Sequence, residues 1–453
     1  AFVGVATYSW KRRYSLTGTY RYEGTNRIGK SRSARWLPTW NLSGAWNAHE
    51  ESWFEKLKPV LSNFTAKLSY SLTADRGPSS ITNSRAVIKA DNPWRPSASD
   101  KESSLYIEWL ANNDLTYEKK HELNFGIDAG FLNNRINFTF DIYTRRNYDL
   151  IGATNTMGIG GEPTKYGNVA KMKSNGVELS LNTVNIKTKD FTWTTDFIYS
   201  HMHNEVTELN TYNRLYDYIS GYGFTMPGYP QRSLFSIPFA GLNNEGLPTF
   251  YDPDGNITVT GIDMQEYDPE RLKFLKYEGP ADPTDVGSLG NIFRYKNLTL
   301  NLFITYSFGN VVRLDPVFSS EYSDLSATPK EFNNRWIKPG DEKFTNIPVI
   351  ASRQQLNNLA YLSRAYQSYN YSTARVAKGD FIRMKEISLA YEFPKTLTQP
   401  LHLSNLSLKL QATNLFLLYA DKKLNGQDPE FFNAGGVATP MPKQFTLTLK
   451  FGI

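Results

Sequence analysis

The chain has 453 residues, no cysteine and a net charge of only +6, with Lys and Arg spread along its length. The absence of cysteine excludes a disulfide framework, a thiol nucleophile and a zinc–thiolate site, and the dispersed charge gives no indication of a nucleic-acid partner. Aromatic residues make up 14% of the chain, yet no apolar run approaches the roughly 20 residues that a transmembrane helix needs.

From its first residues the chain alternates apolar and polar positions with a period of two, which predicts extended strands with two unlike faces. In the first 70 residues the apolar faces are Gly4, Ala6, Tyr8 and Trp10, then Tyr14, Leu16, Gly18, Tyr20 and Tyr22, then Trp36, Trp40, Leu42 and Trp46, then Phe64, Ala66, Leu68 and Tyr70.

The same alternation continues to the end of the chain. Further apolar faces are His121 to Ile127, Ile136 to Ile142, Val177 to Leu181, Leu298 to Phe308 and Phe445 to Ile453, each at every second residue. About thirteen such segments occur, most of them about nine to fifteen residues long, whereas soluble strands average about five or six. Transmembrane β-strands need about nine to eleven residues, apolar outward and polar inward, with aromatic residues at their ends.

Aromatic residues lie near the segment ends, where a membrane belt is expected: Trp10, Tyr14, Trp36, Trp46, Tyr143, Trp193, Tyr199, Tyr306, Phe308 and Tyr391. The sequence therefore predicts an all-β fold, a transmembrane antiparallel β-barrel whose apolar side faces lipid and whose charged side lines a watery lumen.

Short and long connections alternate along the chain. The short ones are "KRR", "FLNNR" and "YKN", and the long ones are Thr25 to Arg35, Ala74 to Thr116, Ile151 to Lys173, Val206 to Val286, Val311 to Lys378 and Ala420 to Met441. This predicts short periplasmic turns and long extracellular loops. With this alternation the first strand runs from the extracellular side to the periplasmic side. Further strands are therefore expected upstream, because an open barrel edge is costly in lipid.

Several stretches resemble the C-terminal half of the SusC/RagA family of TonB-dependent outer-membrane transporters. Among them are "DLTYEKKHELNFGIDAGFLNNRINFTFDIYTRRNYDLI", "YGNVAKMKSNGVELSLNTVNI", "FAGLNNEGLPTFYDPDGN", "KGDFIRMKEISLAYEFP" and "PMPKQFTLTLKFGI". The resemblance implies that residues 1–453 are the C-terminal portion of a 22-stranded barrel, about its last thirteen strands. The plug, the TonB-contacting segment and a signal peptide would lie upstream. Family chains commonly end in Phe, whereas this one ends in Ile453.

By the same resemblance, the protein is expected in the outer membrane of a Gram-negative bacterium of the Bacteroidota type. It would be an active importer of oligosaccharides or oligopeptides, not an enzyme, without a cofactor. Its implied partners are TonB, a SusD-like surface lipoprotein that acts as a lid, the substrate and outer-membrane lipids, and a dimer of transporter–lipoprotein pairs is one arrangement this allows. A passive porin is the alternative, and a secreted β-rich binding module is a third hypothesis.

Aromatic residues crowd the long loops, where flat rings could stack on sugars or grip peptide side chains. The candidate substrate contacts are Trp94, Tyr212, Tyr216, Tyr218, Tyr222, Phe224, Tyr366, Tyr369 and Tyr371. The alternative is that these rings pack the loops against one another or against a lid. Polar lumen residues are expected to contact the plug, which a barrel this wide normally holds, or the substrate: Arg135, Asp141, Glu178 and Asp196.

Three motifs suggest chemistry but have simpler interpretations. His201 and His203 form an H-x-H, which is interpreted as membrane-interface placement and not as a metal site. "DPDGN", Asp252 to Asn256, lacks the remaining ligands of a calcium loop and predicts a hairpin turn with Gly255 at positive φ. "GIGGEP", Gly158 to Pro163, is followed by no helix pattern and is interpreted as a bent loop. No metal site and no catalytic residues are predicted.

Overall fold

The computed structural model describes residues 1–26, 28–77, 85–91, 104–158, 164–211, 213–221, 223–317, 330–431 and 442–452. Within these ranges no helix is both long enough and apolar enough to cross a membrane.

The structure is dominated by β-strands. In chain order they are β1 (Phe2–Trp10), β2 (Tyr14–Gly24), β3 (Trp36–Asn47), β4 (Leu61–Asp75), β5 (Val87–Asp91), β6 (Ser104–Trp109), β7 (Glu118–Phe131), β8 (Ile136–Asn155), β9 (Thr164–Lys187), β10 (Phe191–Leu209), β11 (Ser233–Ser236), β12 (Phe239–Leu242), β13 (Pro248–Tyr251), β14 (Ile257–Thr258), β15 (Lys276–Pro280), β16 (Asp285–Tyr295), β17 (Leu298–Phe308), β18 (Val311–Arg313), β19 (Val376–Lys378), β20 (Phe381–Glu392), β21 (Asn405–Ala420) and β22 (Gln444–Gly452).

Thirteen of these strands form one sheet in the order β1-β2-β3-β4-β7-β8-β9-β10-β16-β17-β20-β21-β22. Neighbouring strands pair antiparallel and follow one another along the chain. The predicted number of about thirteen long strands is therefore confirmed. The remaining strands form small sheets in the long connections: β5–β6, β11–β15, β12–β13–β14 and β18–β19.

The helices of the described ranges are short and lie between strands. They are α1 (Arg32–Arg35), α2 (Leu215–Ile219), α3 (Pro269–Leu272), α4 (Arg353–Asn358), α5 (Tyr361–Asn370) and α6 (Lys395–Thr398), with 3-10 turns at Ala48–Glu50, Ser52–Lys56, Lys330–Asn334, Asp341–Lys343, Thr373–Arg375, Gln399–Leu401, Lys422–Leu424 and Pro429–Phe431.

Strands β8, β9 and β10 are longer than the sequence pattern predicts, and β10 ends at Leu209 although a loop was expected from Val206. The stretch from Ile151 to Lys173 was expected to be one long loop, but β8 continues to Asn155 and β9 already begins at Thr164. Polar pairs between the extended strands, such as Lys171 with Glu208 at 2.6 Å, accompany this extension. The alternation of apolar residues ends earlier because these strand ends carry no apolar face.

The chain forms two compact units. Unit 1 comprises Ala1–Leu179, Met202–Tyr212 and Met226–Tyr229, and unit 2 comprises Ser180–His201, Asn213–Thr225 and Pro230–Ile453.

In unit 1, the register of the strands places like side chains side by side. One row on the apolar face runs across five strands: Tyr8 pairs with Leu16, Leu16 with Gly44, Gly44 with Leu68, and Leu68 with Phe125. Leu16 and Leu68 leave 52% and 54% of their surface uncovered. Exposed leucines along one row of the sheet are expected where the surrounding medium is hydrocarbon. We call this apolar face of β1–β4 and β7 the outer face.

The membrane-belt prediction is wrong for one residue. Tyr143 pairs with Asn124, on the polar face of the sheet. It is only 6% exposed, and the Arg145 guanidinium lies 3.8 Å from its ring centre. Tyr143 lies on the polar face because alternate residues of a strand share a side, and Tyr143 shares its side of β8 with Asp141 and Arg145.

In unit 2, the long connections between main-sheet strands fold into a body with its own core. We call this body the loop lobe and define it as the described residues of 213–225, 230–284 and 311–378. It contains β11–β15, β12–β13–β14, β18–β19 and helices α2 to α5. Leu247, Ala351, Leu362 and Tyr366 form one buried cluster within it. The predicted long extracellular excursions are therefore structured to a degree that the sequence did not indicate.

Candidate transport surfaces

The polar face of unit 1 carries a shallow cavity of about 350 Å³. Most of its lining comes from two neighbouring register rows. One row is Thr17, Ser43, Ser69 and Asn124, and the other includes Ser15, Lys67, Gly126 and Asp141. Hydroxyl, amide and charged groups therefore form a continuous hydrophilic surface, as expected for a lumen wall.

Asp141 is the predicted lumen residue that this cavity contains. Its Oδ1 accepts a hydrogen bond from Asn124 Nδ2 at 3.2 Å. A Cβ added to Gly126 would lie only 2.5 Å from the same oxygen. The glycine thus leaves the space that the Asp141 carboxylate occupies, and the carboxylate keeps acceptor capacity for a further partner.

Charged side chains on the polar face of unit 1 are mostly paired. Glu122 accepts from Arg145 Nε at 2.8 Å and lies 2.9 Å from Lys120 Nζ, and Lys67 forms a salt bridge with Asp128. Balanced charge suits a wall that contacts another polar body, because isolated charges of one sign would repel or trap mobile solutes.

The other predicted lumen residues are dispersed. Arg135 is exposed in the turn before β8, and Glu178 is exposed on β9. In unit 2, Asp196 accepts a hydrogen bond from Asn182 Nδ2 at 2.5 Å. Their role toward a plug or a substrate stays a prediction.

Two of the predicted loop aromatics are core residues of the loop lobe. Tyr366 is 3% exposed and donates its hydroxyl to the Val349 carbonyl. Tyr369 is 1% exposed and packs edge-on against Phe239, with ring centres 5.5 Å apart. Burial raises the pKa of Tyr369 to about 12. For these two rings the structure shows the packing role that the sequence left as an alternative.

Four other predicted aromatics lie half-buried in the lobe and form two edge-on pairs. Tyr216 and Tyr371 have ring centres 5.9 Å apart, and Tyr218 and Phe224 have ring centres 5.0 Å apart. The Arg313 guanidinium lies 5.7 Å from the Tyr371 ring. These rings combine a fixed orientation with some accessible surface, which a stacking contact requires. Trp94, Tyr212 and Tyr222 lie outside the described residues.

Sequence reasoning missed the buried arginines of unit 2. Arg375 is 1% exposed, pairs with Glu331 at 2.5 Å and donates to the Asp315 carbonyl at 2.6 Å. Arg313 donates to the Phe235 carbonyl at 2.5 Å, and burial lowers its pKa to about 10. These arginines fasten distant loops together, and nothing in the local pattern distinguishes them from surface arginines.

A further buried pair joins a main-sheet strand to a loop. Arg383 of β20 donates to both carboxylate oxygens of Asp428 at 2.5 Å, and Glu430 lies 3.2 Å away. Arg383 is 5% exposed and Asp428 is 6% exposed. The pair fixes the segment after β21 against the polar side of β20.

The motifs with simpler interpretations are placed as follows. His201 Nδ1 lies 2.9 Å from Asp285 Oδ1, which also accepts from the Tyr199 hydroxyl at 2.7 Å. "DPDGN" forms the turn between β13 and β14 with Gly255 at a φ of 82°, as predicted. In that turn Asp252 Oδ1 accepts from the Asp254 and Asn256 amides. Most of "GIGGEP" lies outside the described residues. In the described ranges no group of three or more His, Asp or Glu side chains could hold a metal ion.

No family model matches the chain, but sequence relatives do. It is 25% identical over 450 residues to TonB-dependent receptor P3 of Formosa agariphila, covering 94% of this chain and 41% of that protein. It is 27% identical over 467 residues to TonB-dependent receptor SusC of Bacteroides thetaiotaomicron, covering 99% of this chain and 43% of that protein. The chain thus spans about two fifths of the length of these curated relatives.

Solved structures agree on the fold. The RagAB peptide transporter superposes with a TM-score of 0.77 at 23% identity, over 99% of this chain and 47% of that one. The RagAB peptide importer in its 'open-open' state gives a TM-score of 0.77 at 22% identity, over 100% of this chain and 46% of that one. The fold is that of an outer-membrane TonB-dependent receptor barrel. Over nearly its whole length, the chain is similar in sequence to TonB-dependent receptors that include SusC.

Proposed function

We propose that the protein to which this chain belongs actively imports oligosaccharides or oligopeptides across the outer membrane. TonB would supply the energy, and a SusD-like lipoprotein would act as a surface lid. The observation that carries the proposal is the loop lobe, because loops with a buried core and buried ion pairs hold a fixed surface toward a ligand or a lid. A passive porin needs no such body, and its loops need only leave the channel open.

The half-buried aromatics of the lobe are the proposed substrate contacts: Tyr216, Tyr218, Phe224 and Tyr371. Their edge-on pairing orients the rings before a ligand arrives, which lowers the entropy cost of binding. Tyr366 and Tyr369 would instead support this surface from below, as their burial suggests. Both a pyranose ring and a peptide side chain can stack on such rings, so either cargo fits this proposal.

The proposed lid contact is the loop from Trp336 to Phe344. Phe344 is 89% exposed, and the loop that carries it is well fastened. Asp341 accepts from the Ile337 and Lys338 amides at 3.1 Å each, and Glu342 accepts from the Trp336 indole at 3.0 Å. An exposed aromatic ring on a fixed loop is the usual form of an interface anchor.

The polar face of unit 1 is proposed to contact the plug. Its mixed, largely paired charges and the spare acceptor capacity of Asp141 suit a polar protein surface that must be released during transport. A lumen bounded by the 22 strands that the resemblance implies is wide enough to need such a plug.

The test is uptake by the full-length transporter in its own outer membrane. We expect import of the cognate sugar or peptide to stop when TonB is deleted, and we expect a lipoprotein to copurify in mild detergent. Mass spectrometry of material released on denaturation would name the cargo class. Uptake that continues without TonB, together with a barrel that purifies alone, would support the porin.

A variant pair makes the lid part of the test specific. Phe344→Asp should reduce copurification of the lipoprotein, since a charge would replace the apolar anchor, whereas Phe344→Leu should retain it. Equal recovery of the lipoprotein with both variants would place the lid contact elsewhere on the protein.

A further inference from the structure

A groove of about 420 Å³ crosses the outer face of unit 1. Its upper edge is the row in which Gly44 lies between Leu16 and Leu68. The row has aromatic rings at both ends, Tyr8 on β1 and Phe125 on β7. The missing side chain at Gly44 therefore leaves a depression between two leucines and two rings.

The next row toward the β1–β2 turn continues this depression. Tyr14 pairs with Trp46, and Trp46 pairs with Ala66. Ala66 is the small residue of this row and lies beside the Gly44 position on the neighbouring strand. The two small residues form one apolar channel, whose volume is within the range of about 300 to 1,000 Å³ typical of small-ligand pockets.

Positive charge lies at the turn end of the groove. Lys11 and Arg12 are exposed in the β1–β2 turn, directly below the row that contains Tyr14. Lys11 Nζ lies 4.8 Å from the centre of the Trp10 ring, which places this ammonium on the outer side of the sheet. Arg13 is already paired with Glu51 at 3.1 Å.

Other charges at this end do not cancel the two cations. The β3–β4 connection carries Glu50, Glu55, Lys56 and Lys58, and Lys58 pairs with Glu55. Glu51 accepts from the Tyr14 hydroxyl at 2.8 Å as well as pairing with Arg13. Taking residues 11–13 and 50–58 together, five basic and three acidic side chains leave a net charge of +2.

We propose that this groove binds one anionic glycerophospholipid of the periplasmic leaflet. Short turns face the periplasm in outer-membrane barrels, so the β1–β2 turn lies at the level of that leaflet's headgroups. One acyl chain would occupy the channel at Gly44 and Ala66. The phosphate would contact Lys11 and Arg12, beside the Trp10 ring. The site differs from ordinary lipid contact because a shaped apolar channel and a matched charge occur together.

Glycine 44 allows a clean test. A Cβ added there would have only the Ser15 carbonyl as a neighbour, at 4.0 Å, so Gly44→Leu should fill the channel without disturbing the strands. The matched control is Gly18→Leu. Gly18 lies one row higher, and a Cβ there would meet nothing within 4 Å.

The experiment uses the full-length transporter in mild detergent with added dioleoyl phosphatidylglycerol or dioleoyl phosphatidylcholine, analysed by native mass spectrometry. We expect wild type and Gly18→Leu to retain one phosphatidylglycerol preferentially, and Gly44→Leu to lose this retention several-fold. The double variant Lys11→Gln/Arg12→Gln tests the charge without altering the channel. Each removed cation should lower the retention of phosphatidylglycerol about fivefold. Retention of phosphatidylcholine should fall less, because its choline offsets the charge of its phosphate.

Two results would overturn the proposal. One is a wild-type protein that retains both lipids equally, which would indicate lipid contact without a site. The other is equal retention of phosphatidylglycerol by the Gly44→Leu and Gly18→Leu proteins. If Gly44→Leu fails to fold, the double variant decides alone, because its substitutions lie in an exposed turn.

Discussion

Apolar side chains are exposed on the outer face of unit 1 but buried in the loop lobe of unit 2. On the outer face, Leu16 and Leu68 are more than half exposed, whereas Phe250 and Leu362 of the lobe are 0% exposed. The two regions use the same residue types, so composition does not explain the difference. The surrounding medium explains the difference. Lipid solvates the apolar side chains on the outside of the strands, whereas a body in water has to bury its apolar side chains.

Charged groups show the complementary difference. On the polar face of unit 1 the charges pair with neighbours on the sheet surface, as Glu122 does with Lys120 of the same strand and with Arg145 of β8. In the lobe, Arg375 is enclosed and bonded to groups from distant parts of the chain. A water-facing barrel wall needs no buried ion pair. A lobe built from long loops uses such pairs to fix the packing of its segments against one another.

The largest expected effect comes from truncating an apolar side chain to alanine in each of the two media. Phe250→Ala should lower the unfolding free energy of the lobe by about 3–5 kcal/mol, because it leaves a cavity in a closed core. Leu68→Ala should cost less, about 2 kcal/mol in a bilayer, because lipid tails fill the space and only the water-to-lipid transfer free energy of the removed carbons is lost. Hydrogen exchange of lobe peptides, and urea titration of vesicle-folded protein, would measure the two losses. Similar losses would mean that the outer face packs against protein.

Adjacent residues of β4 test which side faces lipid. Leu68→Arg puts a charge into the bilayer and should destabilise the folded barrel by about 2–4 kcal/mol. Ser69→Arg puts the same charge on the polar face and should have little effect. Folding titrations of both variants in vesicles of one lipid composition would compare them. The assignment of faces would fail if Ser69→Arg were the more damaging change.

A smaller effect is expected at the buried pair that fastens the segment after β21. Asp428→Asn removes the negative charge and one of the two acceptor oxygens that face Arg383, but Glu430 remains 3.2 Å away. The loss should be about 2 kcal/mol, seen as faster hydrogen exchange in residues 421–431. Glu270→Gln, which breaks the exposed pair with Lys273, is the matched control and should leave exchange unchanged. Unaltered exchange in the Asp428→Asn protein would show that the segment is held by other contacts.

The main sheet could be predicted from the sequence because its determinants are local. Period-two alternation depends only on neighbouring residues, and it gave about the right number of strands and the side that each residue faces. The turn at Gly255 was predictable for the same reason. Tyr143 shows the limit, because its position near a segment end suggested the belt while its parity placed it on the polar face.

The loop lobe could not be predicted in the same way. Its contacts join residues far apart in sequence, such as Arg375 with Glu331 and Ile262 with Ser368. Tyr366 and Tyr369 look like their neighbour Tyr371 in the sequence, and only the three-dimensional packing separates buried rings from half-exposed ones. Aromatic residues in a loop therefore indicate a structured loop before they indicate a binding site.

The smallest expected effect is a pH response of the loop that carries Phe344. The Trp336 indole donates to Glu342, and this hydrogen bond, followed by bonds from backbone amides, holds the pKa of Glu342 below its usual range. A carboxylate whose folded pKa lies below its unfolded value of about 4.3 stabilises the loop above that pH, and the contribution disappears as pH falls through the folded pKa. We expect the fluorine resonance of 5-fluorotryptophan at position 336, assigned with Trp336→Phe, to shift only below about pH 4.3. Glu342→Gln should remove this pH dependence, and a wild-type transition near neutral pH would assign the response to another group.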